Sequence, residues 1–229
     1  MRISIIVPVL NEGPHIGAFL RRLRERAMTA EIIVVDGMSS DGTAGFAATL
    51  CDRLLQTAPG RAGQMNDGAR VASGAVLWFL HADVAVPDTA ISDIERALQD
   101  RQVVGGFFRI RLPGKRFIYR FTDGLAHYAG LALRIRCGDH GLFCRREIFE
   151  KVGGFPEVAL MEDADFFRKL RRAGRIKVIP QRIVVSPRRY EAIGPARLTL
   201  AFGVIGFLYF LRAPRRVLQT LYRRLCSRS

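Results

Sequence analysis

Residues 3–9 (ISIIVPV) are a short apolar run rich in β-branched side chains, the pattern of a buried strand. Asn11 and Pro14 then supply a cap and an early helix residue. Ile16, Phe19, Leu20 and Leu23 recur at helical spacing and predict a helix to about Arg26. Residues 31–35 (EIIVV) predict a second buried strand, ending at Asp36 before the loop 37–42. A weaker strand follows at 53–56, then the loop 59–63 and a small-residue helix through Ala72. Residues 75–80 predict a fourth strand, ending at His81-Ala82-Asp83, and Pro87 opens a helix to about Leu98. Strands alternating with helices through short connections predict a parallel sheet with right-handed crossovers. Ligands of such sheets lie beyond the carboxyl ends of the strands, which is where Asp36 and Asp83 fall.

The second half is less regular. Residues 103–112 (VVGGFFRIRL) predict a strand with a glycine bulge or close approach. A helical stretch covers about 117–133, and a strand about 141–145, followed by a short helix and a turn at 153–156. Residues 163–173 predict an amphipathic helix stopped by Gly174, and 175–185 one or two strands. After Glu191 the chain has seven arginines and no acidic residue. Residues 198–211 carry no charge over 14 positions. That is short of the ~20 needed to span a bilayer. The expectation is a domain over 1–191 and an apolar, basic helical tail over 192–229. The tail either lies on an anionic membrane surface or closes the core or an interface.

Composition narrows the function. At 229 residues, 49% hydrophobic and 25% charged, the chain is globular and of single-domain size. Its net charge of +15 must face an anion: nucleic acid, anionic lipid or a phosphorylated substrate. Cys51, Cys137, Cys144 and Cys226 form no CxxC pair, which favours a reduced, cytoplasmic protein. Met1-Arg2 lead straight into the first strand, with no pattern of a signal peptide.

Four constellations can carry chemistry. Asp36 can accept hydrogen bonds from a base or ribose, or cap its own turn. His81 and Asp83, two apart at a strand end, can approach one divalent cation; alternatively Asp83 caps a turn and His81 packs on the sheet. Glu162 and Asp163 head the amphipathic helix, where a carboxylate can take a proton from a hydroxyl or simply favour the helix dipole. Arg61, on a glycine-lined loop with Asn66 one turn on, can reach a phosphate or sit exposed. Of His15, His127 and His140, only His140 falls in a loop of interest, 139–141. Neither G-x-G-x-x-G nor a Walker A sequence is present.

Taken together, these runs resemble the family 2 glycosyltransferases of the GT-A fold. The resemblance rests on IIVPVLNE at 5–12, EIIVVD at 31–36 with Ser39, Asp41, Gly42 and Thr43, and Gly60-Arg61 through Asn66. It continues with Ala72 and Gly74, FLHAD at 79–83, GGFP at 153–156 and EDADF at 162–166. It covers about residues 3–185. The HAD spelling, in place of DxD, is similar to a small stand-alone bacterial subgroup with some members associated with arsenosugar biosynthesis. The resemblance implies a three-layer α/β sandwich with a mostly parallel sheet, a nucleotide-binding half at 1–100 and an acceptor half at 101–191. It also implies a nucleotide-diphosphate-sugar donor, Mg²⁺ or Mn²⁺, and inversion at the anomeric carbon. On that pattern Pro8 and Glu12 line the nucleotide pocket, Asp36 binds the base and Arg61 assists. Asp83 holds the metal, and His81 stands where the first DxD aspartate contacts the nucleotide. Asp163 is the general base, with Glu162 beside it at the substrate. The missing Q-x-x-R-W of processive synthases implies transfer of one sugar to an acceptor hydroxyl, lipid-linked if the tail holds the enzyme peripherally on the inner membrane face. Two competing readings remain. A non-catalytic membrane or nucleic-acid binder would explain the charge, but acidic strand ends repel phosphate backbones, so no nucleic-acid partner is expected. A nucleotidyltransferase would place a basic, glycine-rich signature after the first strand, where Asn11-Glu12-Gly13-Pro14 stands.

Overall fold

The computed structural model describes residues 1–114, 117–132 and 138–226. Cys137, the end of the helix expected to reach residue 133, Arg228 and the side chain of His127 lie outside the described residues. The first half alternates as the hydrophobic pattern predicts: β1 (Ile3–Val9), α1 (Gly13–Arg26), β2 (Glu31–Asp36), α2 (Thr43–Ala48), β3 (Arg53–Gln56), α3 (Arg61–Val71) and β4 (Val76–Phe79). A two-residue β5 (Val84–Ala85) and α4 (Ala90–Ala97) follow. The second half holds β6 (Val103–Arg111), α5 (Phe117–Ala132), a 3₁₀ turn at Gly138–His140, β7 (Phe143–Arg145), α6 (Arg146–Lys151), α7 (Glu162–Ala173) and β8 (Arg175–Val185). It closes with α8 (Arg188–Ile193), α9 (Pro195–Phe210) and α10 (Arg215–Cys226).

The sheet runs β3-β2-β1-β4-β7-β6-β8-β5. β1 pairs in parallel with β2 and β4, β2 with β3, and β6 with β8. β7 is antiparallel to both β4 and β6, and β5 to β8. Residues 175–185 are therefore one long strand. Helices cover both faces. On one face Ile3, Ile5, Val7 and Val9 meet Ile16, Leu20 and Leu23 of α1 and Ile94 of α4. On the other, Ile6 and Val35 meet Met65 and Ala69 of α3, and Phe107 meets Phe167 of α7. With apolar cover on both sides, β1 and β2 read as runs rather than alternations.

Two glycines fix close approaches. A Cβ on Gly68 would lie 2.6 Å from Cγ2 of Ile6, so the small-residue helix α3 lies directly on the sheet. A Cβ on Gly105 would lie 2.4 Å from the Phe143 carbonyl oxygen, and the β6–β8 register shifts between Val103 and Gly105. The tail packs onto the domain. Leu198, Ala201, Ile205 and Tyr209 of α9 cluster with Ala164 of α7 and with Leu218 and Cys226 of α10. The reading in which the tail closes the core is thus met by one side of α9. Cys51, Cys144 and Cys226 are free thiols.

Candidate active site

The loops after β1 and β2 are tied to each other. Asn11 and Met38 both take left-handed backbone, at φ 55° and 62°. The Asn11 amide donates to Ser39 Oγ (2.8 Å), and Asn11 Oδ1 accepts from the Ser40 amide (3.0 Å). Asp41 accepts the Gly13 amide (2.8 Å) and the Thr43 hydroxyl (2.5 Å), while Thr43 Oγ1 accepts the Glu12 amide (2.9 Å). Ser39, Asp41 and Thr43 thus staple the start of α1 to the second loop and set where Glu12 stands. From α3, Gln64 Nε2 donates to the Val9 and Val35 carbonyls, each at 2.8 Å. Pro8 is in register with Val35, and Val9 with Asp36, so these residues share one edge of the sheet. The buried Asp36 carboxylate accepts from the Ser39 hydroxyl, the Ser39 amide (3.1 Å) and Gln56 Nε2 (3.4 Å). Its bonds are those of a turn cap.

After β4 the chain presents His81 and Asp83, and the 3₁₀ turn brings in Asp139. His81 Nδ1 and Asp139 Oδ1 are 2.7 Å apart. Among the described residues the buried His81 Nε2 has no hydrogen-bond partner, which leaves one ring nitrogen of a fixed imidazole for something else. Burial and Arg61 oppose a charge on His81, but the bond to Asp139 outweighs them and raises the imidazole above its ordinary value. Burial likewise opposes the charge on Asp139, and His81 outweighs it, holding the carboxyl well below the usual range. Asp83 is raised by burial and then by Asp139, against His81 and Arg188. Glu12 is raised by burial and by Asp83, against Arg188, whose guanidinium lies 3.7 Å from Glu12 Oε2.

The third component is the start of α7. Met161, at φ 65°, precedes it, a backbone conformation costly for a non-glycine residue and typical of functional loops. Glu162 and Asp163 are both buried. Arg61, first residue of α3, reaches Glu162 at 3.5 Å while half of its side chain (48%) stays exposed. Burial works against its charge, but Asp163, Glu162 and Asp139 outweigh burial and hold it above its ordinary value. Glu162 is raised by burial and by Asp163, with Arg61 opposing.

Arg61, His81, Asp83, Glu162 and Asp163 therefore form one electrostatic group, with Glu12 at its border. Asp36 lies two strands over from β4 on the same edge. Asn66 does not face a phosphate: its amide donates to the Phe155 carbonyl and accepts the Phe155 amide, both at 2.9 Å, clamping the 153–156 turn. His140 is buried, with Nδ1 3.1 Å from the Phe108 carbonyl oxygen and its ring edge-on to Phe107. It is the neighbouring Asp139 that enters the site. A charged residue in a loop of the irregular half was the only sequence signal for it. Arg188, in the chain beyond β8, gave none.

A divalent cation can be tested against these side chains. Among the described residues no three His, Cys, Asp or Glu side chains converge into a cage. Asp83, under the negative field of Asp139 and Glu12, offers hard oxygen to a cation that takes its other ligands from water and a diphosphate, the habit of Mg²⁺ and Mn²⁺. The residues fit such an ion.

Known proteins share this fold. The model of the family described as glycosyl transferase family 2 matches residues 4–153. An uncharacterised protein of Mycobacterium tuberculosis is 28% identical over 219 residues, covering 83% of this chain and 67% of its own length. A mannosyltransferase from Pyrobaculum calidifontis, solved with GDP-mannose and Mn²⁺, superposes with a TM-score of 0.71 at 26% identity, covering 98% of this chain and 69% of that one. The fold is shared with glucosyl-3-phosphoglycerate synthase from Mycobacterium tuberculosis, at a TM-score of 0.64 and 19% identity over 93% of this chain and 81% of that one. With helices on both faces of an eight-stranded sheet, the chain belongs to glycosyl transferase family 2 and has the GT-A fold.

Proposed function

We propose that this glycosyltransferase moves one sugar from a nucleotide-diphosphate-sugar to an acceptor hydroxyl with inversion, Asp163 serving as general base. One observation carries the reading: the buried acidic start of α7 faces Arg61 and the His81–Asp139 pair across the carboxyl ends of the strands. This is the charge order that an in-line displacement needs, a proton acceptor on one side and cationic groups on the other. Pro8, Glu12 and Asp36 would line the nucleoside end of the cleft; for Asp36 this means exchanging a turn hydrogen bond for one to the base. Arg61 and His81 Nε2 would meet the diphosphate. The acceptor oxygen bonds to the anomeric carbon as the bond from that carbon to the diphosphate oxygen breaks. The acceptor proton passes to Asp163, and the electron pair leaves with the nucleoside diphosphate. Mg²⁺ or Mn²⁺ bound at Asp83 would neutralise that leaving charge; the Mn²⁺ in the mannosyltransferase structure supports this reading.

The test is a panel of UDP-, GDP- and TDP-sugars with and without Mn²⁺, read as thermal stabilisation. A donor at 100 times its Kd adds ~2.7 kcal/mol. One base should stand out, and release of its nucleoside diphosphate should follow when acceptor is added. No stabilisation by any donor would refute the reading.

A further inference from the structure

The chain of α9 is apolar almost all round. Successive helical residues turn by ~100°, so Leu198, Ala201, Ile205 and Tyr209 share one side, which is buried. Leu200, Val204, Phe207, Phe210 and Leu211 fall on the opposite side and are exposed, Leu200 to 69% and Phe207 to 52%. A helix that is hydrophobic all round belongs inside protein or in lipid, and the described residues cover only half of this one. The neighbouring α5, joined to α9 by the Thr122–Thr199 hydroxyl pair at 2.7 Å, adds exposed Phe117 and Phe121. Charge selects the occupant. No acidic residue follows Glu191, and Arg197, Arg212, Arg216 and Arg224 of the tail are exposed.

We propose that the uncovered face of α9 lies on an anionic lipid bilayer, its apolar side chains in the interface and the arginines of the tail at the headgroups. A second copy of the chain would set two arginine clusters against each other, whereas acidic lipid complements them. Crossing is ruled out for these helices: among the described residues none is long and apolar enough. The covered side of the tail also supports the site. Tyr209 donates to Asp165 (2.5 Å) and Arg215 to the Leu160 carbonyl (2.8 Å), so α9 and α10 brace the start of α7. The docking does not depend on the proposed function.

Because of these contacts, truncating the tail would disturb α7, and the test must use surface variants of the full chain. Phosphatidylcholine vesicles with and without phosphatidylglycerol are floated with wild type, L200S/F207S/L211S and R216Q/R224Q, and all three proteins are melted. Wild type should float with the anionic vesicles at low salt and be released by high salt. Each arginine removed should weaken binding about fivefold. The serine variant should lose at least roughly tenfold at an unchanged melting temperature. If the serine variant melts early, the arginine variant and the salt dependence decide in its place. Failure of wild type to float, or flotation of both variants as well as wild type, overturns the proposal. So does a wild-type dimer in light scattering that L200S/F207S/L211S dissolves, which would assign the face to a second copy. None of these readouts uses a sugar donor, so they stand apart from the test of catalysis.

Discussion

Asp163→Asn separates chemistry from folding. Asp163 is the second residue of α7 and is buried, so the nearly isosteric amide changes little but its capacity to take a proton. A positioned base contributes ~10²–10⁴-fold to rate. At ~1.36 kcal/mol per decade this is about 2.7–5.4 kcal/mol of transition-state stabilisation. The structural cost is smaller. A carboxylate in the first turn of a helix contributes ~0.3–1 kcal/mol through the dipole. Arg61 keeps Glu162 at 3.5 Å, so its charge stays paired. A loss of about 1 kcal/mol lowers the melting temperature of a chain this size by roughly 2–4 °C. The expected outcome is therefore a fall in kcat of two to four decades, within the ~10²–10⁴ of a general base, beside a small change in melting and an unchanged donor Kd. Nucleoside-diphosphate release measures the first, calorimetry with the donor the last. A variant that melts lower yet turns over within about tenfold of wild type, outside the range of a lost base, would make Asp163 a helix-capping residue and refute the mechanism.

Donor binding should strengthen with Mn²⁺, and Asp83→Ala should abolish that dependence; equal calorimetric affinity in Mn²⁺ and EDTA for wild type would remove the metal. Glu162 is raised above its ordinary value by burial and by Asp163, against Arg61. The folded chain thus prefers its protonated form, and stability is lost as pH rises through the folded value. Glu162→Gln should accordingly melt higher than wild type at neutral pH, with the gain vanishing below about pH 4, under the ordinary glutamate value; a variant that melts lower at neutral pH contradicts this. Asn66→Ala should cost ~1–3 kcal/mol, because it strips both hydrogen bonds from the Phe155 backbone; an unchanged melting temperature would show that the turn holds itself.

Strand and helix identity in the first half was legible because β1, β2 and β4 are covered on both faces, and such strands must be written as apolar runs. The carboxyl-edge rule then located Asp36 and Asp83 before any contact was known. The start of α7 was legible from the spacing of Phe166, Phe167 and Leu170 behind an acidic pair. What these residues do with each other was not. Asp139 reaches His81 only because the antiparallel β7 is inserted between β4 and β6, and no local pattern encodes that insertion. Ser39, Asp41, Thr43 and Asn66 carry polar side chains of the kind that bind ligands, yet here they close turns. The difference lies in whether a backbone amide or open space stands opposite, which only the folded chain decides. The tail is the limiting case. Residues 198–211 are uncharged on every side of α9, so hydropathy had no means of choosing a buried face. Ala164 and Leu218 made the choice by packing against one side, leaving the other to solvent or lipid.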